Sequence, residues 1–380
     1  MRAETALLFH CASSLFNPGP EVNIEETLSR EVDWQEFLSL VTRHRAVFPV
    51  FRCLSRLSSG EVPAAVLEKL RGIQLRTLTF NLQAARELVE VGRALEETGR
   101  PVIAYKGPLL AVEAYGDLAG RQFTDLDILV HPEDVGRVRD SLAGLGYQLS
   151  GGLADFSSGL AVRFLRDVVF RNRRGRLPLE VQWRLAQRYH PVFSKIDEPW
   201  SRSRRTIFEG AELRTFCPED TLLILCLHGL YHAWEHLQMV TDTAAAIKSL
   251  KPDWERTLDL ARENRAERIL FVGLLLANRM LSMELPEPVL ARAFSDRRAV
   301  AAARDALRRF FYFEDGADKA RRFFFREAGM FPGLGNQARY FIGRLLTPNE
   351  EDLAGRPVTR LRLMILPWLR LIRLFRKYFI

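Results

Sequence analysis

The stretch Thr124-Asp125-Leu126-Asp127-Ile128-Leu129-Val130 constrains the chain more than any other. Its second half is an apolar, β-branched run that reads as a buried strand, stopped by His131-Pro132. In a strand, residues two apart share a face, so Asp125 and Asp127 point together while Leu126 and Ile128 go to the other side. Two carboxylates held side by side repel unless a cation neutralises them. Mg²⁺ suits this role, being a hard ion that takes a few carboxylates and leaves part of its shell to substrate phosphates. A second acid stands in Leu179-Glu180-Val181, another β-prone run. If that strand lies beside the first, three carboxylates converge on one sheet face. Such a set could hold metal ions and draw a proton from an attacking hydroxyl.

Ahead of the acids, Val102-Ile103-Ala104-Tyr105 runs into Lys106-Gly107-Pro108 and then a helical pattern reaching Tyr115. A strand-to-helix turn with glycine exposes backbone N–H groups at a helix start, which favours an anion. Lys106 adds a point charge for phosphate, and Arg121, four residues before Asp125, is the other expected phosphate contact. No Walker-type loop and no Gly-x-Gly-x-x-Gly after a strand occurs.

Around these motifs the 380 residues divide into three parts. Residues 1–98 read as helical, with one pattern from Asp33 to Leu57 and a longer one from Pro63 to Glu97. Residues 99–216 carry strands at 102–105 and 126–130, a helix from Glu133 to Leu145 ended by Gly146, and a hairpin of Val162–Phe170 and Leu177–Trp183. The hairpin tip holds Arg171, Arg173, Arg174 and Arg176, read as a solvated turn, with polyanion capture as the alternative. Residues 217–380 read as helical again, beginning with a helix from Glu219 to His236. The expected class is α/β (α+β): a small mixed sheet between two helical regions.

Lys106-Gly107, Tyr115, Arg121, Asp125-Leu-Asp127-Ile-Leu-Val130, Gly146-Tyr147 and Leu179-Glu180-Val-Gln-Trp183, in that order, resemble the DNA-polymerase-β-type nucleotidyltransferase superfamily. More narrowly, they resemble the bacterial uncharacterised nucleotidyltransferase family. The similarity covers most of the chain, including Asp33 to Leu54 and His228-Gly-Leu-Tyr-His232-Ala-Trp234 with Asp242. It implies transfer of NMP, with AMP expected, from an NTP to a hydroxyl acceptor. It also implies Mg²⁺ or Mn²⁺ held by Asp125, Asp127 and Glu180. The chain departs from the pattern in having Lys106-Gly107 with a longer gap to its acids, and Gln182 where the family often has histidine. Two other classes stay open: a catalytically silent nucleotide-binding or sensing module, and a nucleic-acid-binding protein.

Fifty-five Lys and Arg against 47 Asp and Glu give a net charge of +8. That excess suits an anionic substrate, a nucleic acid or an acidic membrane equally. Four scattered cysteines form no Cys-x-x-Cys pair, so a reducing cytoplasm is the simplest setting. The N-terminus reads as an amphipathic helix rather than a signal peptide, and no stretch has the length of a bilayer span. His228, His232 and His236 recur every four residues. A continuous helix sets the outer two about 12 Å apart, too far for one ion, so they are expected to pack, with His228 and His232 near the acceptor or the base. Asp242 is expected to cap or pair with a helix. The segment from Leu361 to Ile380 is apolar and basic, with Arg370, Arg373 and Lys377 on one helical face. It is expected to close a helical core with its arginines in water, peripheral contact with an anionic membrane being the alternative.

Overall fold

The computed structural model describes residues 2–17, 21–57, 60–150, 160–172, 177–195, 197–311, 327–353 and 360–379. Helix α1 (Ala3–Ser13), α2 (Glu21–Leu28), α3 (Trp34–Arg43), α4 (Val47–Leu54) and the long α5 (Ala64–Glu97) form the N-terminal part. Asp33 caps α3 by accepting from the Gln35 and Glu36 amides, and the helix buries Phe37, Leu38, Leu40 and Val41. The single helix expected from Asp33 to Leu57 is two, broken at His44-Arg45-Ala46. Pro49 explains the break, because in a continuous helix its ring would strike the carbonyl of Arg45. The chain turns instead through Arg45 in the left-handed region, φ 54°.

Among the described residues seven strands follow: β1 (Ile103–Tyr105), β2 (Leu126–Leu129), β3 (Tyr147–Leu149), β4 (Asp167–Asn172), β5 (Leu179–Gln182), β6 (Arg204–Phe208) and β7 (Ala211–Thr215). They form one mixed sheet in the order β3-β4-β5-β2-β1-β7-β6. The β2–β5 and β1–β7 pairs are parallel and the others antiparallel. Helix α6 (Gly107–Tyr115) connects β1 to β2, and α7 (Val135–Gly144) connects β2 to β3. Three strands were absent from the sequence reading. One is the short β3 after Gly146; the others are the β6–β7 hairpin, whose Glu209-Gly210 turn has φ of 49° and 72°. The expected strand from Val162 is also corrected. Residues Leu160–Phe164 form a short helix, and β4 begins at Asp167, which pairs with Gln182, the last residue of β5. Before Asp167 the pairing thins to one backbone bond, from the Trp183 amide to the Arg166 carbonyl at 3.0 Å. The arginine-rich turn at 173–176 lies outside the described residues.

Alternation sorts the strand residues between two cores. Leu126, Ile128, Leu179, Val181, Val168 and Phe170 face one side, packing with Ala84, Leu88, Val91 and Leu95 of α5 and with Val138 and Leu142 of α7. Ile103, Tyr105 and Leu129 face the other, in a larger core that joins α1, α3 and α4 to the C-terminal helices. These are α10 (Pro218–Tyr231), α11 (Leu237–Leu250), α12 (Trp254–Glu263), α13 (Glu267–Leu281), α14 (Glu287–Ser295) and α15 (Arg297–Phe311), with α8 (Leu160–Phe164) and α9 (Asp197–Ser201) preceding them.

The helix expected to run through His236 ends at Tyr231. Ala233 and Trp234 both take positive φ, and the Trp234 indole folds back onto Gly229, where a Cβ would lie 2.5 Å from the ring. The three histidines therefore do not share a helix: His228 and His232 stay adjacent, ring centroids 4.5 Å apart, while His236 is the N-cap residue of α11.

The C-terminal helix Arg360–Phe379 reverses the expected polarity at its arginines. Arg370 is buried, donating to Asp352 Oδ2 at 2.8 Å and to the Arg344 carbonyl. Arg373 reaches Asp352 Oδ1 at 3.1 Å. Ile365, Trp368, Leu369 and Ile372 are exposed instead. The buried carboxylate of Asp352 accounts for the inversion, since it needs a cation more than these side chains need cover. The Lys377 side chain lies outside the described residues. Among the described residues, no helix is long and apolar enough to cross a membrane.

Candidate active site

The site lies on the face of the sheet turned toward the C-terminal helices. Parallel pairing of β2 with β5 sets Asp127 directly opposite Glu180. Antiparallel pairing of β4 with β5 sets Val169 opposite Glu180, so Asp167, two residues earlier, shares that face. With Asp125 at the mouth of β2, four carboxylates gather where the sequence indicated three.

Each has a distinct environment. Asp127 is 5% exposed and accepts from Lys106 Nζ at 3.1 Å and from Gln182 Nε2 at 3.0 Å. Glu180 accepts from Arg166 at 3.0 Å, and the same guanidinium donates to Asp167 at 2.8 Å through Nε. Asp125 is half-buried, lines the cavity, and makes no hydrogen bond or ion pair among the described residues. Burial and then the Asp127 charge raise its proton affinity, while Lys106, Arg121 and Arg45 oppose them. Burial, a hydrogen bond shared with Asp167 and the charge of Asp127 push Glu180 up to about 9. Burial works to raise Asp167 too, but Arg166 overrides it and holds that carboxyl below its ordinary range. At Asp125 and Glu180 burial and the neighbouring carboxylates thus outweigh the nearby cations.

Lys106 reaches Asp127 from a strained turn. Its φ of 54° with ψ of −144° is a region that favours glycine, and Gly107 follows at φ 47°. This is where α6 begins with Pro108 in its first turn. Arg121 holds the turn from below. It is 5% exposed, donates to the Gly107 carbonyl at 3.3 Å, and forms a two-pronged pair with Asp242 at 3.1 and 3.3 Å. Tyr115 donates to the same Asp242 carboxylate at 2.6 Å. The guanidinium expected to meet phosphate is therefore committed to α11, and Asp242 is a helix-borne partner, as its sequence context suggested.

A cavity of about 530 Å³ opens over the acids. His228, Tyr231, His232 and His236 line it, with Gln238 and Met239 of α11. Burial, then Lys106 and His232, lower the His228 proton affinity well below the ordinary histidine range, so this ring is neutral near pH 7. The outer wall is a linked polar cluster. His190 sits 2.8 Å from the Tyr231 hydroxyl and 3.1 Å from Glu327, which Arg344 approaches at 2.9 Å. Arg166 lies over the Tyr231 ring at 5.5 Å, which ties this wall to Glu180.

With this geometry in view, comparison with known proteins decides the family. A family described as "Uncharacterised nucleotidyltransferase" matches residues 30–282. The chain belongs to that family. It is accordingly a nucleotidyl-transferring enzyme built on the mixed sheet described above. No curated protein matches the chain. Among solved structures, the solution structure of the antibiotic-resistance factor ANT(2'')-Ia is 15% identical. It covers 49% of this chain and 93% of its own, with a TM-score of 0.35. The crystal structure of ANT(2")-Ia with adenylyl-2"-tobramycin is 16% identical and covers 48% and 97%, with a TM-score of 0.34.

In this nucleotidyltransferase, Lys106, Gly107, Asp125, Asp127 and Glu180 come together as neighbours, with Arg121 behind them. Sequence reasoning missed Arg166 and Asp167, whose only signal was an ion pair of adjacent residues before an apolar alternation. It also missed Gln182, as the partner of Asp127, and Arg45, hidden in a stretch read as continuous helix. Glu327 and Arg344 carry no motif and lie beyond the segment that defines the family.

Proposed function

We propose that the enzyme transfers the NMP group of an NTP, with ATP as the expected donor, to a hydroxyl of an acceptor bound in this cavity. The observation that carries this reading is the registered carboxylate face, Asp127 opposite Glu180 with Asp125 unpartnered above, facing a cavity that Lys106 enters.

The donor set fits Mg²⁺ or Mn²⁺: hard carboxylate oxygens, two of them with proton affinities raised by burial and then by the neighbouring carboxylates. Among the described residues no three such groups are gathered around one point, and Lys106 and Arg166 are paired with Asp127 and Glu180. Asp125, Asp127 and Glu180 would hold the cation. Bound there, it would supply charge neutralisation to the triphosphate and acidity to the acceptor hydroxyl.

The chain's own groups do the rest. The first amides of α6 would bind phosphate oxygens, joined by Lys106 once a cation replaces it as the partner of Asp127. Arg121 acts as a positioning residue, fixing Gly107 against α11. The acceptor oxygen forms its bond to the α-phosphorus as the bond from that phosphorus to the bridging oxygen breaks, and pyrophosphate leaves with the electron pair. The hydroxyl proton would pass to an oxygen of ionised Glu180, the form that a bound cation would favour over the proton this buried carboxyl otherwise holds. Tyr189, His190, Tyr231 and Glu327 form the wall on the Glu180 side, where the acceptor would lie, whether a small molecule, a peptide or a protein.

Thermal unfolding with each NTP, with and without Mg²⁺ or Mn²⁺, tests the reading, since a ligand of the folded state raises the midpoint. We expect a cation-dependent rise with one NTP, lost in Asp125→Ala/Asp127→Ala. An equal rise in that double variant would remove the aspartates from the mechanism.

A further inference from the structure

We infer that Arg45, at the corner between α3 and α4, receives the β- and γ-phosphates of the nucleotide and holds pyrophosphate as it leaves. The inference rests on the nucleotidyl-transfer reading and assigns the two ends of the same cavity.

Five Lys and Arg side chains line the cavity. Four are committed to acids: Lys106 to Asp127, Arg121 to Asp242, Arg166 to Glu180 and Asp167, and Arg344 to Glu327. Arg45 has no such partner among the described residues, and its side chain is half-buried in the cavity wall. A guanidinium held at a polar cavity without a counter-ion lacks an anion, and its planar fork suits phosphate oxygens.

The corner is built to hold that position. Arg45 takes φ 54°, which is unfavourable for a side chain of its size. The backbone is closed by Ala46 N donating to the Val41 carbonyl at 2.9 Å and Arg45 N to that of Thr42 at 3.1 Å. The neighbouring His44 carbonyl accepts from the Gln238 amide at 3.1 Å. The Gln238 side chain in turn bonds both backbone groups of Gln122, at 2.9 and 2.7 Å. Gln122 lies three residues before Asp125. The corner, the start of α11 and the acid strand are therefore fastened together.

In-line transfer assigns the ends. The acceptor must approach on the Glu180 side, where its proton goes, so the leaving oxygen departs on the opposite side. Lys106, Arg121 and Arg45 are the cations acting on Asp125. Of these, Arg45 is the one with no hydrogen bond or ion pair from its side chain among the described residues. As the bond from the α-phosphorus to the bridging oxygen breaks, negative charge grows on pyrophosphate, and Arg45 stabilises it there.

The test is calorimetric binding to the full chain in Mg²⁺ buffer, with ATP, GTP, CTP and UTP, the matching NMP, and inorganic tripolyphosphate as probes. Variants are Arg45→Ala, Arg45→Lys and Arg45→Asn. Asparagine tolerates the left-handed conformation best among non-glycine residues, so Arg45→Asn should fold at least as well as the wild type. We expect Arg45→Ala and Arg45→Asn to weaken tripolyphosphate and the preferred NTP at least tenfold, with the NMP unchanged and Arg45→Lys intermediate. Unchanged tripolyphosphate and NTP binding, or NTP and NMP weakened alike, would overturn the inference and leave the transfer reading standing. Arg45-dependent tripolyphosphate binding with no NTP bound by the wild type would keep the anion site and overturn the nucleotide reading. No binding of either probe by the wild type would overturn both.

Discussion

Replacing Glu180 by glutamine should stabilise the metal-free protein, and increasingly so as pH rises. The Glu180 side chain is 19% exposed, so its charge is poorly solvated. In the unfolded chain the carboxyl ionises near its ordinary value of 4.5, whereas in the folded chain burial first, then Asp167 and Asp127, hold the proton up to about 9. Over the interval from 4.5 to 9 the folded state retains a proton that the unfolded state has released. Stability from this group is thus complete below pH 4.5 and lost as pH climbs toward 9. Up to pH 8 the loss amounts to about 5 kcal/mol at most. Rotation of the side chain into the open cavity, with partial hydration, reduces it to about 2–4 kcal/mol. Glutamine reproduces the protonated acid, including a donor toward Asp167, but cannot ionise. Denaturant unfolding in EDTA at pH 5, 6.5 and 8 should give near-equal stabilities at pH 5 and a gap of that size at pH 8, with the glutamine variant the more stable. Parallel pH profiles for the two proteins would refute the reasoning, because they would mean that Glu180 titrates in the fold as it does in water.

Three further expectations concern the frame of the site. Arg121→Ala and Asp242→Asn should each cost about 3–5 kcal/mol by leaving one member of a buried pair uncompensated, and the double variant less than their sum, measured by a double-mutant cycle in denaturant. His44 is held down to about 4, by burial first and then by His236 and Arg43, so the folded state refuses a proton that the unfolded state takes below pH 6.5. Stability should fall by about 3 kcal/mol from this residue between pH 6.5 and 4; His44→Phe, which preserves the ring contact with Phe310, should flatten that acid limb in thermal unfolding. Gly229→Ala would press a methyl against the Trp234 ring at 2.5 Å and should destabilise by about 1–3 kcal/mol. An unchanged melting temperature would show that the indole has room to move.

What the sequence made legible was whatever strand alternation imposes locally. Asp125 and Asp127 could be placed on one face because period two leaves no other choice, and Glu180 joins them on the condition, met by the β2–β5 pairing, that the two strands lie side by side. Lys106-Gly107 was readable as a strand-to-helix turn, though not the strain at Lys106, which comes from tertiary contacts. Partners distant in sequence were beyond reach. Arg121 meets Asp242 across 121 residues, and nothing near Arg121 distinguishes an arginine that will be buried from one that will bind phosphate. The His228–His236 helix was misread because Trp234 ends it by packing on Gly229, an event of tertiary structure. The break at Arg45 was legible in principle, since Pro49 forbids a continuous helix there. The inward turn of Arg370 was not, because the buried carboxylate of Asp352 belongs to a separate helix.

The larger of the two cores also bears on how the protein is made. Leu7 and Leu8 of α1 pack in one cluster with Leu270 to Leu281 of α13, and Ser13 Oγ donates to the Leu281 carbonyl at 2.8 Å. The interior strand β1 finds its parallel neighbour only in β7, more than a hundred residues later. During synthesis, the apolar face of α1 must wait until α13, which begins at Glu267, has left the ribosome. At roughly 5–20 residues per second, that wait lasts tens of seconds. The N-terminal segment should therefore be a preferred client of chaperones on the nascent chain, and truncations that stop before α13 should yield aggregates instead of a smaller folded unit.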